Sequence, residues 1–158
     1  TTKLDAMANN ARNAQGFLMR NIYPMYKDAQ RERWMSQGTS ESRIWDGLDS
    51  AYAERKIKLY GSYPGAGTKL MIATGRLFGA AVGPGSGMPD GEQFHRAKAD
   101  QHSLTVGLDT SKKRTKRDQG SEYFKYANDS RDFMHFGRRT ISAMKDQIRE
   151  YLKSRRSY

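Results

Sequence analysis

The 158-residue chain contains no cysteine. That absence excludes disulfides, thiolate zinc sites and a cysteine nucleophile together. Long hydrophobic runs are missing as well, and no stretch approaches the roughly 20 apolar residues that cross a bilayer as a helix. The opening residues Thr1-Thr2-Lys3-Leu4-Asp5 are polar, with no basic-then-apolar leader. The sequence therefore predicts a protein made soluble inside the cell, with no membrane contact. Apolar residues are scarce at 36%, while 28% are charged. Residues 1–158 suit a single domain with a modest core. So lean a core implies that neighbouring subunits supply part of the stability.

Chemical constellations are equally sparse. His95, His102 and His135 lie in separate segments, none with a carboxylate or second histidine at a metal-ligand helical spacing. Structural roles are expected for all three. Asp46/Asp49 and Asp90/Glu92 are close in sequence, but polar surroundings would not separate the pKa values of a pair as acid–base catalysis requires. No serine occupies a Gly-x-Ser-x-Gly elbow. The stretch Gly83-Pro84-Gly85-Ser86-Gly87-Met88-Pro89-Asp90-Gly91 resembles a phosphate loop only superficially. No Lys-Ser/Thr follows it, and its prolines fix the backbone instead of presenting successive amides. The expectation is a non-enzyme with no catalytic, metal-binding or cofactor-binding residues, and no cofactor.

Positive charge is what the chain does have. The net charge is +11, and residues 112–158 carry 14 Lys and Arg against 6 Asp and Glu. Lys112, Lys113, Arg114, Lys116 and Arg117 form a basic run, followed closely by Tyr123, Phe124 and Tyr126. Basic residues beside aromatics grip phosphate and stack on bases, so these five are candidate contacts to a polyanion. An acidic protein partner fits them equally, as does a solvated loop ahead of core aromatics. No zinc ligands, RNP-like strand or clear helix-turn-helix accompanies them.

The order of elements predicts an α+β fold: a long N-terminal helix, a small antiparallel sheet, and a C-terminal helix packed on the sheet. Leu4, Met7, Ala11, Ala14, Leu18, Ile22, Met25 and Ala29 step by three or four through the helical segment 1–33. Pro24 should kink or break it. Trp45, Leu48, Tyr52, Ile57 and Tyr60 follow, the last three on a short amphipathic stretch. A strand is expected over Leu77–Val82, and the alternation in Ser103–Leu108 predicts another. Residues 83–102 and 109–122 read as extended loops or arms. Phe133, Phe136, Met144, Ile148 and Tyr151/Leu152, with Ile141 between, mark the C-terminal helix.

From Trp34 onward the residues resemble the tail-completion, or virion-morphogenesis, family of tailed bacteriophages. The resemblance rests on Trp45-Asp46-Gly47-Leu48, then Tyr52 and Arg55-Lys56, then Leu70-Met71-Ile72-Ala73-Thr74-Gly75-Arg76-Leu77. Tyr123-Phe124-Lys125-Tyr126 and Ser130-Arg131-Asp132-Phe133-Met134 stand where the family has its later aromatic segments. The strongest piece is Leu-x-x-x-Thr-Gly-Arg-Leu, and the likeness covers roughly residues 34–152. Two departures are visible. The His-x-Phe-Gly after the tyrosine segment is missing, although His135-Phe136-Gly137 occurs later, and the family's Arg-Pro-Phe reads Arg131-Asp132-Phe133.

The resemblance implies a structural virion protein forming a ring, with six subunits, at the head–tail neck or the top of the tail. Its partners would be copies of itself, neighbouring neck, connector or tail-tube proteins, and the DNA that crosses the channel. It would be assembled in the bacterial host cytoplasm and reside in the virion. Trp45, Leu48, Thr74, Gly75, Arg76, Leu77, Tyr126 and Phe133 are then core or interface anchors. Gly75 is free to take a positive φ at a tight junction between a helical turn and a strand. The competing expectation is a basic accessory protein that binds DNA directly.

Overall fold

The computed structural model describes residues 2–41, 44–61, 75–109 and 136–154. The chain is α+β, with helices at both ends and a two-stranded antiparallel sheet, as its sequence predicts. In order come α1 (Lys3–Arg12), the single turn α2 (Gln15–Phe17), a π-helical stretch Leu18–Ile22, and α3 (Tyr23–Met35). A 3-10 turn (Thr39–Glu41) leads to α4 (Ser50–Tyr60), α5 (Arg76–Val82) and α6 (Pro89–Glu92). Strands β1 (His95–Ala99) and β2 (Leu104–Leu108) precede α7 (Arg138–Lys153).

A capping box starts α1. Thr2 Oγ1 accepts from the Asp5 amide at 3.2 Å, and the Asp5 carboxylate accepts from the Thr2 amide at 2.9 Å. The long N-terminal helix, expected to be disturbed at Pro24, is also interrupted at Asn13–Ala14, because tertiary hydrogen bonds displace the helical ones. The Ala14 amide donates to the Gln101 carbonyl at 3.1 Å. The Tyr151 hydroxyl takes the carbonyls of Asn10 and Asn13 at 3.1 and 3.2 Å. The kink expected at Pro24 takes the form of the π-helical turn just before it, where the Tyr23 amide bonds Leu18, five residues back. A wider turn accommodates a residue that lacks an N–H and crowds the preceding turn.

The strand expected over Leu77–Val82 is instead helix α5. All six of those residues are buried, and a short apolar run buried on every side has no period by which helix and strand are told apart. A helix satisfies its backbone groups internally, which suits a segment enclosed by side chains. Gly75 enters it at φ +75, and Gly83 leaves it at φ +84. A Cβ on Gly83 would lie 2.7 Å from the His95 ring.

Residues 83–102 are likewise not an extended arm, since they hold α6 and β1. Phe94 at the entrance to β1 is 1% exposed. The register pairs His95 with Leu108, Ala97 with Val106 and Ala99 with Leu104. Asp100 closes the hairpin, its Oδ1 accepting from the amides of His102 and Ser103 at 2.8 and 2.6 Å.

Two apolar clusters form among the described residues. One joins Trp34, Trp45, Leu77, Phe78, Ala80, Ala81, Val82 and Phe94. The other joins Phe17, Leu18, Ile22, Ala99 and Tyr151, with Leu104, Met144, Ile148 and Leu152 against it. Through that second cluster α7 meets both the N-terminal helices and the sheet. No helix among the described residues is long and apolar enough to cross a membrane.

Candidate functional site

The anchors expected near the middle of the chain converge. Trp45 is held by its backbone amide on the Gln37 carbonyl at 3.0 Å. Its ring meets Trp34 edge-on at 5.3 Å, and Trp34 meets Phe78 in the same way at 5.7 Å. The Arg33 guanidinium lies 5.7 Å from the centre of the Trp45 ring. The Arg76 guanidinium lies 4.5 Å from that of Phe94. Such geometry combines apolar burial with attraction between cation and ring. Leu77 belongs to this cluster, and Leu48 and Met88 pack against it. Gly75 closes it: a Cβ there would lie 2.2 Å from Met88 Sδ, and the backbone is left-handed. Thus Trp45, Leu48, Gly75, Arg76 and Leu77, scattered over 33 positions of sequence, share one packed body. Thr74, Tyr126 and Phe133 lie outside the described residues, as do Lys112, Lys113, Arg114, Lys116 and Arg117.

The glycine-proline loop at 83–91 is gripped from two sides. From α3, Lys27 Nζ donates to the Pro84 carbonyl and Arg31 to that of Gly85. From α6, the Glu92 carboxylate accepts from the Ser86 amide at 2.8 Å, the Ser86 hydroxyl at 2.7 Å and the Gly87 amide at 3.2 Å. Burial pushes the Glu92 pKa up, but hydrogen bonds from Ser86, Gly87 and Met88 outweigh it and the net direction is down. Loop amides that a phosphate would need are therefore turned onto an internal carboxylate. Asp49 also has a structural role, capping α4 by accepting from the Ala51 and Tyr52 amides.

His95 is buried between α5 and α3. Its Nδ1 faces the Ala80 carbonyl at 2.9 Å, so Nδ1 carries the proton and donates. Its Nε2 then accepts from the Tyr23 hydroxyl at 3.0 Å. Burial disfavours the imidazolium, and Lys27 and Arg96 add repulsion. Together these outweigh the Ala80 carbonyl and Glu92, and hold the pKa below its ordinary value. Beside it the Tyr26 hydroxyl donates to the Ala81 carbonyl at 2.9 Å. These contacts fix α5 against α3.

Three surface features stand out among the described residues. An amide-rich cleft of about 390 Å³ opens between Asn9, Asn13, Gln15 and Gln101, where α1 and α7 end. A second groove, about 240 Å³, runs between α3 and α7. Helix α4 exposes Tyr52, Ile57 and Leu59, whereas Lys56 is buried and its ammonium pKa is pushed down by that burial. The amphipathic sense of α4 thus differs from the sequence expectation. Among the described residues no group of three His, Asp or Glu is placed to hold a metal ion.

Sequence reasoning gave His95 a structural role, which its buried hydrogen bonds fit, but missed Trp34, Phe94 and the Tyr151–Asn10 lock. The buried positions of α3 are Tyr26, Gln30, Arg33 and Trp34, a helical spacing disguised by two polar residues. Compared with protein-family models, with curated proteins and with solved structures, the chain matches none.

Proposed function

We propose that this chain is a structural protein of a tailed-bacteriophage particle, one copy in a ring at the head–tail neck or the top of the tail, around the DNA channel. The observation that carries the reading is the convergence of Trp45, Leu48, Gly75, Arg76 and Leu77 on one cluster. These are the residues on which the resemblance to the tail-completion family rests, and their spacing has a packing reason. Their roles are those of a scaffold: rings filling space, a glycine permitting close approach, an arginine lying over an aromatic ring. The apolar face of α4, left outward, fits a subunit that is completed by its neighbour.

Light scattering after size exclusion, with and without duplex DNA at low and high salt, tests this reading. The expected outcome is a discrete oligomer whose mass is unchanged by DNA. A monomer whose DNA affinity falls steeply with salt would replace the ring by direct DNA binding through the basic run.

A further inference from the structure

Helix α4 presents Tyr52, Arg55 and Leu59 at i, i+3 and i+7, a spacing that puts them on one face. Tyr52 and Leu59 are 54% and 57% exposed. Lys58 lies beside them on the same exposed side. Exposed apolar residues flanked by basic ones on a helix are the pattern of a helix that seats in a groove.

The α3–α7 groove has the matching chemistry. Met25, Ala29 and Ala143 line it with apolar atoms, and the acids Asp28 and Glu32 stand among its lining residues together with Arg139. None of the residues lining it comes from α4. The two acids have only loose partners: Asp28 lies 3.7 Å from Arg31 and Glu32 lies 4.0 Å from Arg139, with all four side chains well exposed. Exposed pairs at that distance contribute little, so exchanging them for a new cation costs little. Two copies of a +11 chain repel at long range. A contact between them therefore gains from acids that can meet incoming cations, and Asp28 and Glu32 supply them once Arg31 and Arg139 give them up.

Resting on the ring reading above, we infer that α4 of one subunit docks through Tyr52, Arg55 and Leu59 into the α3–α7 groove of a second copy. Arg55 and Lys58 then face Asp28 and Glu32. Because the two surfaces differ, the contact is head to tail, and repetition closes a ring where the rotation permits.

The absence of native cysteine makes the test clean. Ala51→Cys, on the exposed side of α4, and Ala143→Cys, in the groove, are prepared as separate full-length variants and joined with a short bis-maleimide. Cross-linked dimers in the mixture, and monomers in either variant alone, are expected. In parallel, Arg55→Glu with Lys58→Glu should abolish assembly, and adding Asp28→Lys with Glu32→Lys should restore it. A chain that assembles by light scattering yet gives no mixed dimer and no charge-swap rescue overturns this contact and leaves the ring standing. A chain that stays monomeric at every concentration overturns both.

Discussion

Helices α4 and α5 handle their apolar residues in opposite ways. In α5, Leu77, Phe78, Gly79, Ala80, Ala81 and Val82 are all buried by the rest of the chain. In α4, Tyr52, Ile57 and Leu59 are each more than half exposed, and the helix touches the other described elements only marginally. The difference separates two uses of apolar surface. The residues of α5 stabilise the subunit, because their area leaves water when the chain folds. Those of α4 gain little on folding, and their area is still available to an association.

The largest expected effect lies on the α5 side. Trp45→Ala removes a 5%-exposed ring from contact with Trp34 and Arg33. A loss of about 3–5 kcal/mol is expected, read from urea unfolding at constant slope. A loss near zero with failed assembly would move Trp45 out of the core and into an interface, erasing the contrast with α4.

Next in size is the lock between the chain's two end helices. Asn10 is 4% exposed, and its Nδ2 caps the end of α7 on the Tyr151 and Ser154 carbonyls at 2.9 and 2.7 Å. Tyr151 returns its hydroxyl to α1 and stacks on Phe17 at 4.1 Å. Asn10→Ala takes its donor from the Ser154 carbonyl, whereas the Tyr151 carbonyl keeps the Ser154 hydroxyl at 2.8 Å, and should cost about 1–3 kcal/mol. Hydrogen exchange would show faster exchange at the end of α7, with the amides of α5 unchanged.

Acid should loosen the α5 side through His95. Its folded pKa is below the ordinary value, so the unfolded chain binds the proton more readily. The stabilisation is complete above the ordinary histidine range, about pH 6.5. It is lost as pH falls through the folded pKa. His95→Asn, which retains a donor towards the Ala80 carbonyl, should remove that step from a plot of melting temperature against pH. The separate loss from Glu92 and Asp100, whose pKa values are lowered by hydrogen bonds they accept, should remain in the carboxylate range. A step unchanged in His95→Asn would assign it to another group.

How much was legible follows from the same contrast. The C-terminal helix, although it starts at Arg138 and not before Phe136, and β2 were legible because each keeps one face in water, so burial leaves a period in the sequence. The irregular turn before Pro24 was legible because proline acts through its own covalent ring. Helix α5 was hidden because every residue after Arg76 is buried. Strand β1 was hidden for another reason: its buried ends are His95 and Ala99, neither of which reads as a strand core. The break at Asn13 could not be seen locally, since Gln101 and Tyr151 make it from far along the chain. Of the expected anchors, the sequence placed Trp45, Gly75 and Leu77 through resemblance to a family pattern. Their common cluster with Trp34 and Phe94 became visible only in three dimensions.

The smallest expected effect is the one that decides what α4 is for. Leu59→Gln swaps an exposed apolar side chain for one of similar length and helix propensity. Surface changes of this kind usually stay within about 0.5 kcal/mol of neutral. Unfolding of the dilute subunit should therefore barely move. The same substitution at Leu77, 3% exposed, places an amide in an apolar cluster and should be several times more costly. Assembly should respond in the reverse sense: Leu59→Gln lowers the oligomer population at fixed concentration even though the subunit is as stable as before. Measuring both quantities on both variants gives a two-by-two outcome. If Leu59→Gln destabilises the isolated subunit as much as Leu77→Gln does, then α4 belongs to the core and its face has no partner to explain.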